Sequence, residues 1–292
     1  MSPSWQLLTI LLSGAAVGSC YMLLSLGYTI NARVQKFFDV SQGAAITTAV
    51  YTAWAVSVFK PPFYVVVLTA SLVGAITSVA FCRIRLAAGA GFSSLEHFLA
   101  ALGYLIAIEG LIGLVAGGES RVYPRQALPV IRLGLVTFSF VDVASLVLAI
   151  LAVVGTAVTM ARTHLGRQFR AVASSPSLAR ISGLPVLRIH LTAAAIGGAI
   201  SGIGGLAYAW QRTANPTIGM NLIVAPLAIS ILAARFSWIG LGLVAFAYGE
   251  LESLAFAFVP GEWKQTFVFG LLIAALISSP VTWSDLRGLR KA

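Results

Sequence analysis

Two apolar segments of this chain contain carboxylates, and these are the first residues whose position suggests chemistry. Glu109 lies in ALGYLIAIEGLIGLV, and Glu250 and Glu252 lie in AFAYGELESLAFAF. An ionisable group inside a membrane-spanning segment is costly and is a functional candidate by default. Two positions along a helix differ by about 200° in direction, so at most one of Glu250 and Glu252 faces a common pathway. The structural alternative for Glu109 is a hydrogen bond to the backbone of a neighbouring helix.

The sequence carries no signature of a soluble catalytic site. The dipeptide Gly-Lys does not occur, which excludes a phosphate-binding loop of the G-x-x-x-x-G-K type. H-E-x-x-H and C-x-x-C are absent, and His97, His164 and His190 do not have the spacing of metal ligands. We therefore predict that the chain is not an enzyme and that it binds no metal or cofactor of its own.

The composition indicates a protein that crosses the lipid bilayer several times. The chain is 59% hydrophobic and 10% charged, with a mean hydropathy of +0.93, whereas a soluble domain is about 25% charged. The formal net charge is +10, but the basic residues are dispersed at the ends of apolar segments. Such a distribution sets membrane topology and does not predict a nucleic-acid partner.

The apolar segments predict an all-α polytopic bundle of about eight or nine spans, because about 20 apolar residues cross the hydrocarbon core. We treat residues 1–292 as a single transmembrane domain. The predicted spans are Trp5–Ile30, Phe38–Phe59, Pro62–Leu86, Ser93–Gly117, Phe140–Ala161, Arg188–Trp210, Met220–Ala234, Trp238–Val259 and Lys264–Trp283. The second begins with the polar FDVSQG and the seventh is short and contains Pro226. Both are therefore predicted to be discontinuous or re-entrant helices that line a cavity.

The basic residues also predict an orientation. Cytoplasmic loops carry an excess of Lys and Arg, and the segment 162–188 contains five arginines and no acidic residue. Placing it inside also places Arg33, Lys36, Arg83, Arg85, Arg235, Arg287, Arg290 and Lys291 inside, and leaves Lys60, Arg121, Arg125, Arg132, Arg212 and Lys264 outside. This arrangement predicts a cytoplasmic C-terminus, and it places residues 118–139 outside, where turn residues and alternating apolar positions predict a hairpin.

The arginine-rich segment 162–188 is predicted to contain a short capped helix. Ser175 followed by Pro176 is typical of an N-cap and a first-turn proline. Gly183 stands where a left-handed C-cap is expected, before Pro185. A capped helix on the cytoplasmic face indicates docking to a soluble partner, and the alternative is a solvated basic loop that only sets topology.

A glycine-rich stretch, AIGGAISGIGGLAYAW, follows this segment. Gly198 and Gly202 are four residues apart, a spacing that lets two membrane helices approach closely. We predict that they form a helix-packing face. A solute contact is the alternative, and the two are compatible because close helix pairs often line a translocation path.

The order of these motifs resembles the inner-membrane permeases of branched-chain amino acid ABC importers, of the high-affinity leucine/isoleucine/valine type. The resemblance covers nearly the whole chain. It is carried by GSCYMLLSLGYTI with FDVSQGA, by GRQFRAVASSPSLARISGLPVLRIH, by ANPTIGM and by the terminal GEWKQTFVFGLLIAALISSP. Asn215, Pro216 and Gly219 match the family's N-P-x-x-G, and Gly249 and Glu252 match its G-x-x-E.

The resemblance implies a multi-pass subunit of the bacterial inner membrane. It implies a homologous second permease, two cytoplasmic ATPase subunits that bind the ATP, and a periplasmic solute-binding protein. The residues that it assigns to a coupling helix at the ATPase are Arg167, Arg170, Ser175, Pro176, Arg180 and Gly183. Together with the carboxylates, it makes Glu109, Gln42, Asn215 and Glu252 the candidates for the substrate path.

Two departures leave the substrate open. ILAARFSWIGLG stands where the family has a glycine-rich L-G-G-I-G-S-x-x-G, and FDVSQGA lacks the acidic residue that often ends the first motif. Related permeases carry urea, short amides and aromatic acids, so these solutes are alternatives to branched-chain amino acids. From another class, a self-powered secondary transporter or channel would use Glu109 as its coupling carboxylate. An intramembrane enzyme is disfavoured, since no clustered set of polar spans is present.

Overall fold

A computed structural model describes residues 3–87, 93–123, 130–133, 136–233 and 236–258, together with the single residues 270 and 273. Ten helices and one strand pair are found in these ranges. The helices are α1 (Pro3–Gln35), α2 (Gln42–Ser57), α3 (Phe63–Ala87), α4 (Ser94–Ala116), α5 (Phe140–Arg162), α6 (His164–Ser174), α7 (Pro176–Ile181), α8 (Val186–Gln211), α9 (Ile218–Leu232) and α10 (Trp238–Phe258). The predicted all-helical membrane bundle is confirmed.

The strand pair lies between α4 and α5, inside the range 118–139. Strands β1 (Val130–Leu133) and β2 (Val136–Ser139) are antiparallel, with Val130 opposite Ser139 and Leu133 opposite Val136. Ser139 then caps α5, because its side chain accepts a hydrogen bond from the Val141 N–H at 3.3 Å. The position of this hairpin outside the membrane stays a prediction.

Five helices of the described residues are long and apolar enough to cross a membrane. They are Thr9–Gln35, Phe63–Ala87, Leu95–Ala116, Phe140–Arg162 and Val186–Gln211. Helix α10, with 21 residues, coincides with the predicted eighth span but is not among the five. The predicted ninth span, Lys264–Trp283, lies outside the described helices, so the count of eight or nine spans stays a prediction.

Several predicted boundaries were wrong. Helix α1 continues five residues beyond the predicted end at Ile30, because the polar residues Asn31 and Gln35 are buried against other helices instead of facing water. Helix α2 begins at Gln42 instead of Phe38, and α9 begins at Ile218 instead of Met220. With 16 and 15 residues, α2 and α9 are both too short to cross the bilayer alone.

Helix α8 packs along both α1 and α3, and α1 also packs along α10. Gly198 lies against Gly74 and Ser78 of α3, and Gly202 lies against Ala70 of the same helix. A Cβ atom at either glycine would overlap the α3 backbone. The absence of side chains at Gly198 and Gly202 therefore permits the close approach of α8 and α3, which dispersion contacts then stabilise.

Candidate functional site

Glu109 lies at the buried N-terminus of the short helix α9. Its Oε1 accepts hydrogen bonds from the Met220 N–H at 2.9 Å and from the Thr47 hydroxyl at 3.2 Å. The Gly219 N–H donates in turn to Thr47 Oγ1 at 3.0 Å. The N-cap residue Thr217 makes no side-chain cap, and side chains of α4 and α2 satisfy the N–H groups of Gly219 and Met220 in its place. The carboxylate also lies at the positive end of the helix dipole.

A second polar group is enclosed where α1, α2, α3 and α8 meet. Gln42 Nε2 donates to Ser78 Oγ at 2.9 Å, and Asn31 Nδ2 approaches the same oxygen at 3.5 Å. Gln42 Oε1, Asn31 Oδ1 and Ser201 Oγ are buried without a hydrogen-bond partner among the described residues. The two amide oxygens accept only, whereas the Ser201 hydroxyl can also donate, so the group suits a neutral hydrogen-bonding partner such as an amide or a water molecule.

Glu252 belongs to a separate site between α1, α8 and α10. Its Oε1 lies 3.1 Å from Arg212 Nη2, and the Arg212 guanidinium stacks over the Tyr208 ring at 5.0 Å. Glu250 points elsewhere, with a carboxylate oxygen against Gly14 of α1. The different directions of the two carboxylates follow from their spacing of two residues. Sequence reasoning missed Arg212 as a partner because it stands 40 residues away.

Asn215 stands in the turn that joins α8 to α9. Its backbone oxygen accepts from the Ile218 N–H at 3.1 Å, and the preceding residue Ala214 exchanges two backbone hydrogen bonds with Arg121, at 2.7 and 2.9 Å. Asn215 Oδ1 is buried without a partner in the described part of the chain. The turn therefore holds the chain at the point where it enters the bundle to start α9.

The four predicted path residues are thus divided between two places. Gln42, Glu109 and Asn215 lie at or near the starts of α2 and α9, the two short helices, whereas Glu252 lies apart beside Arg212. Short helices that begin inside a bundle are typical of transporter binding sites, because their ends offer backbone groups to a solute. The part that each residue plays in transport stays a prediction.

Asp39, which sequence reasoning did not select, is buried in the turn between α1 and α2, outside the five candidate spans. It accepts hydrogen bonds from the Ser41 N–H at 3.1 Å and from the Ser41 hydroxyl. Burial raises the pKa of the Asp39 carboxyl, and the Ser41 hydroxyl and nearby Arg85 oppose that rise. These bonds fix the turn that places Gln42 at the start of α2. The D-x-S spacing of FDVS was the available signal, since Asp accepts from a backbone N–H two residues on.

The arginine-rich segment contains two helices, where one was predicted. The missed helix α6 follows α5 directly, and its N-cap Thr163 accepts from the Gly166 N–H at 3.2 Å. Gly166, Phe169 and Val172 are buried on one face, while Arg167 is exposed on the other. The three-residue spacing of the buried positions was the signal that could have revealed this amphipathic helix.

Helix α7 has caps at both ends. Ser175 Oγ accepts from the Leu178 N–H at 3.4 Å, and Pro176 occupies the first turn. Gly183 has a φ of +78°, and its N–H donates to the Arg180 carbonyl at 3.1 Å. Residues with side chains rarely adopt a positive φ, so glycine suits this position.

The helix pair is attached to the bundle through α6. Arg170 Nη1 donates to the Met160 carbonyl of α5, and Lys36 Nζ at the end of α1 donates to the Ser174 carbonyl at 3.0 Å. Both cations act on carbonyls at helix C-termini, where positive charge is favourable. Helix α7, by contrast, buries one residue, Ala179. Helix α7 is thus mostly exposed, and the hydrogen bonds to α1 and α5 are made by α6.

These features define a multi-pass membrane protein with a helical attachment outside the bundle. The chain belongs to the family described as branched-chain amino acid transport system / permease component, whose sequence model matches residues 10–276. This is a family of transport permeases, so the predictions of the family and of a protein that is not an enzyme are both confirmed. Within the described residues, no group of three or more side chains is placed to hold a metal ion.

Two of the following comparisons extend over nearly the full chain, and one covers part of it. It is 23% identical to the high-affinity branched-chain amino acid transport system permease protein BraD of Pseudomonas aeruginosa, over 96% of both chains. Over 58% of this chain and 42% of the relative, it is 37% identical to the glucose ABC transporter permease protein TsgB13 of Haloferax volcanii. A solved structure, PsaBC from Streptococcus pneumoniae in complex with Fab, matches with a TM-score of 0.52 at 15% identity, over 94% of this chain and 92% of that one.

Proposed function

We propose that this chain is one permease subunit of an ABC importer for branched-chain or related amino acids. It forms the path with a homologous second permease, and two cytoplasmic ATPase subunits bind the ATP that drives transport. A periplasmic solute-binding protein delivers the solute. The subunit resides in the bacterial inner membrane with its C-terminus in the cytoplasm.

The observation that carries this proposal is the exposed apolar surface of α7. Leu178 is 64% exposed and Ile181 is 84% exposed, on a helix of six residues with Arg180 between them. Apolar side chains on a small helix outside the bundle are expected to be covered by a partner. An ATPase groove that receives α7 would bury both side chains, and α6 would transmit the movement to α1 and α5.

The substrate class rests on the relatives and on the polar group around Gln42. A full-length relative is named for branched-chain amino acid transport, while TsgB13, matched over part of its length, is named for glucose. The uncharged acceptors around Gln42 suit an uncharged part of a solute. The Glu109 carboxylate already accepts a hydrogen bond from the Met220 N–H of α9. Because Glu109 is engaged in this hydrogen bond, the structure favours an ATP-driven subunit over a secondary transporter that uses Glu109 as its coupling carboxylate.

Uptake into proteoliposomes tests both the dependence on ATP and the substrate class. The complete complex, with its ATPases, second permease and binding protein, is supplied with radiolabelled leucine, isoleucine, valine, urea, a short amide, an aromatic acid or glucose. We expect ATP-dependent uptake of a branched-chain amino acid. Uptake that persists without the ATPases and follows an imposed ion gradient would contradict the proposal.

A matched pair of variants tests the docking surface. Ile181→Ala removes an exposed apolar group of α7, and Leu114→Ala removes one of similar exposure, 86%, from α4. We expect Ile181→Ala to lower ATP-dependent uptake and ATPase co-purification several-fold, with normal membrane insertion. Leu114→Ala is expected to leave both unchanged. Equal behaviour of the two variants would show that α7 does not dock.

A further inference from the structure

A cavity of about 140 Å³ lies where α1, α5, α6 and α10 meet. Its wall includes Arg33 of α1, Arg170 of α6, Trp238 of α10, and the apolar side chains of Met160 and Phe169. A water molecule needs about 10–15 Å³ of such space, so the cavity admits a group of phosphate size. The predicted path residues do not line it.

The two guanidinium groups in this wall are held in place by the protein. Arg33 stacks over the Trp238 ring at 4.3 Å and donates to the Phe236 carbonyl at 3.2 Å. Arg170 donates to the Met160 carbonyl through Nη1. No acidic residue is present among the described residues that line the cavity. Each guanidinium has five N–H donors arranged to match phosphate oxygens, so this pair suits an anion with several oxygens.

The surroundings of the cavity favour a lipid over a soluble anion. Apolar side chains are exposed on both flanking helices, at Val154 and Val158 of α5 and at Ile239 and Leu243 of α10. Each pair is four residues apart and follows one face of its helix, about 100° or more around the helix from Met160 or Trp238, so these faces lie beside the cavity and do not line it. Trp and Arg together at the end of a span are typical of the level of the lipid headgroups.

We propose that this cavity binds the phosphate of an anionic membrane phospholipid, whose acyl chains would lie outside the cavity on the apolar outer surface of the bundle. Basic pockets between membrane helices are suited to such headgroups. Because Arg33 belongs to α1 and Arg170 belongs to α6, one phosphate would bridge the bundle and the helix that carries α7. The bound lipid would therefore hold the docking segment in its position.

The purified full-length chain, in phosphatidylcholine micelles, is titrated with phosphatidylglycerol while its thermal midpoint is followed. A ligand that binds the folded state raises this midpoint, and the stabilisation grows with the logarithm of the ligand concentration divided by Kd. We expect Arg170→Gln and Arg33→Gln each to weaken the apparent affinity by about fivefold. Arg167→Gln, which removes an exposed charge from the same helix outside the cavity wall, is the matched control and is expected to retain the original affinity.

Two results would overturn the proposal. One is an equal loss of affinity in Arg170→Gln and Arg167→Gln, which would mean that the lipid responds only to net charge. The other is an equal rise of the midpoint with inorganic phosphate alone, which would assign the cavity to a soluble anion. If Arg33→Gln fails to fold, Ala173→Leu takes its place, since Ala173 lines the cavity and the larger side chain fills it while both arginines remain. Unchanged affinity in that variant would also reject the site.

Discussion

The bundle interior and the end of α7 both depend on glycine, but for opposite reasons. Gly198 has ordinary helical backbone and no room for a side chain, because α3 lies directly against it. Gly183 has open space around it and a φ of +78° that side chains disfavour. Substitution in the interior therefore acts through packing and assembly. Substitution at the end of α7 acts through local backbone geometry and leaves the packing of the bundle unchanged.

The largest effect is expected at the α3–α8 contact. Gly198→Leu and Gly202→Leu force a side chain into the α3 backbone and are expected to lower the free energy of unfolding by about 3 kcal/mol. Thermal unfolding of the purified chain and the yield of the assembled complex measure this loss. We expect both to fall before solute selectivity changes. A normal yield with altered selectivity would instead place this face on the solute path.

The next effect concerns the carboxylate that caps α9. Glu109→Leu leaves the Met220 N–H without its acceptor, which is expected to cost about 1–3 kcal/mol, and to impair transport. Glu109→Gln keeps an acceptor oxygen in the same place and is expected to retain most transport. Paired uptake and unfolding measurements on both variants are the check. Complete loss of uptake in both would show that the charge itself is required, and would place Glu109 in the transport chemistry.

A smaller effect is expected at the end of α7. Gly183→Val must adopt a left-handed backbone at a local cost of about 1–2 kcal/mol, so the α7 cap opens. We expect ATP-dependent uptake to fall while membrane insertion and the thermal midpoint stay close to normal. Gly183→Asn is the control, because asparagine tolerates this conformation. Full uptake by Gly183→Val at normal expression would rule out a role of the cap in coupling.

The smallest effect, and one of opposite sign, is expected at a glycine outside both regions. Gly103 of α4 is exposed, and nothing lies within 4 Å of the position of a Cβ atom. Gly103→Ala is expected to stabilise the helix by about 0.5–1 kcal/mol. Gly198→Ala is the matched substitution and is expected to destabilise the chain in the same unfolding measurement. A common sign for the two would mean that helix propensity, and not close packing, governs the interior glycines.

The exposed and buried helices also differ in how well the sequence predicted them. Helices α4 and α5, of which 17% and 22% of the most apolar window is buried, have the predicted positions within one residue at each end. Helices α1, α2 and α9 began or ended elsewhere. Local hydropathy predicts the ends of a helix that faces lipid, because side chains in contact with the hydrocarbon core must be apolar. It fails for a buried helix, since polar residues such as Asn31 are accommodated by neighbouring helices.

The sequence alone determined the membrane class, the α7 caps and the family. These depend on composition, on local turn chemistry and on the order of motifs, all of which are properties of consecutive residues. Only the tertiary structure decided that Glu109 caps α9, that Arg212 pairs with Glu252, and that Arg33 and Arg170 line one cavity. The members of each pair are separated by 111, 40 and 137 positions, respectively. Hydrogen bonds and ion pairs depend on distances of a few ångströms, and across such separations the packing of the helices sets those distances.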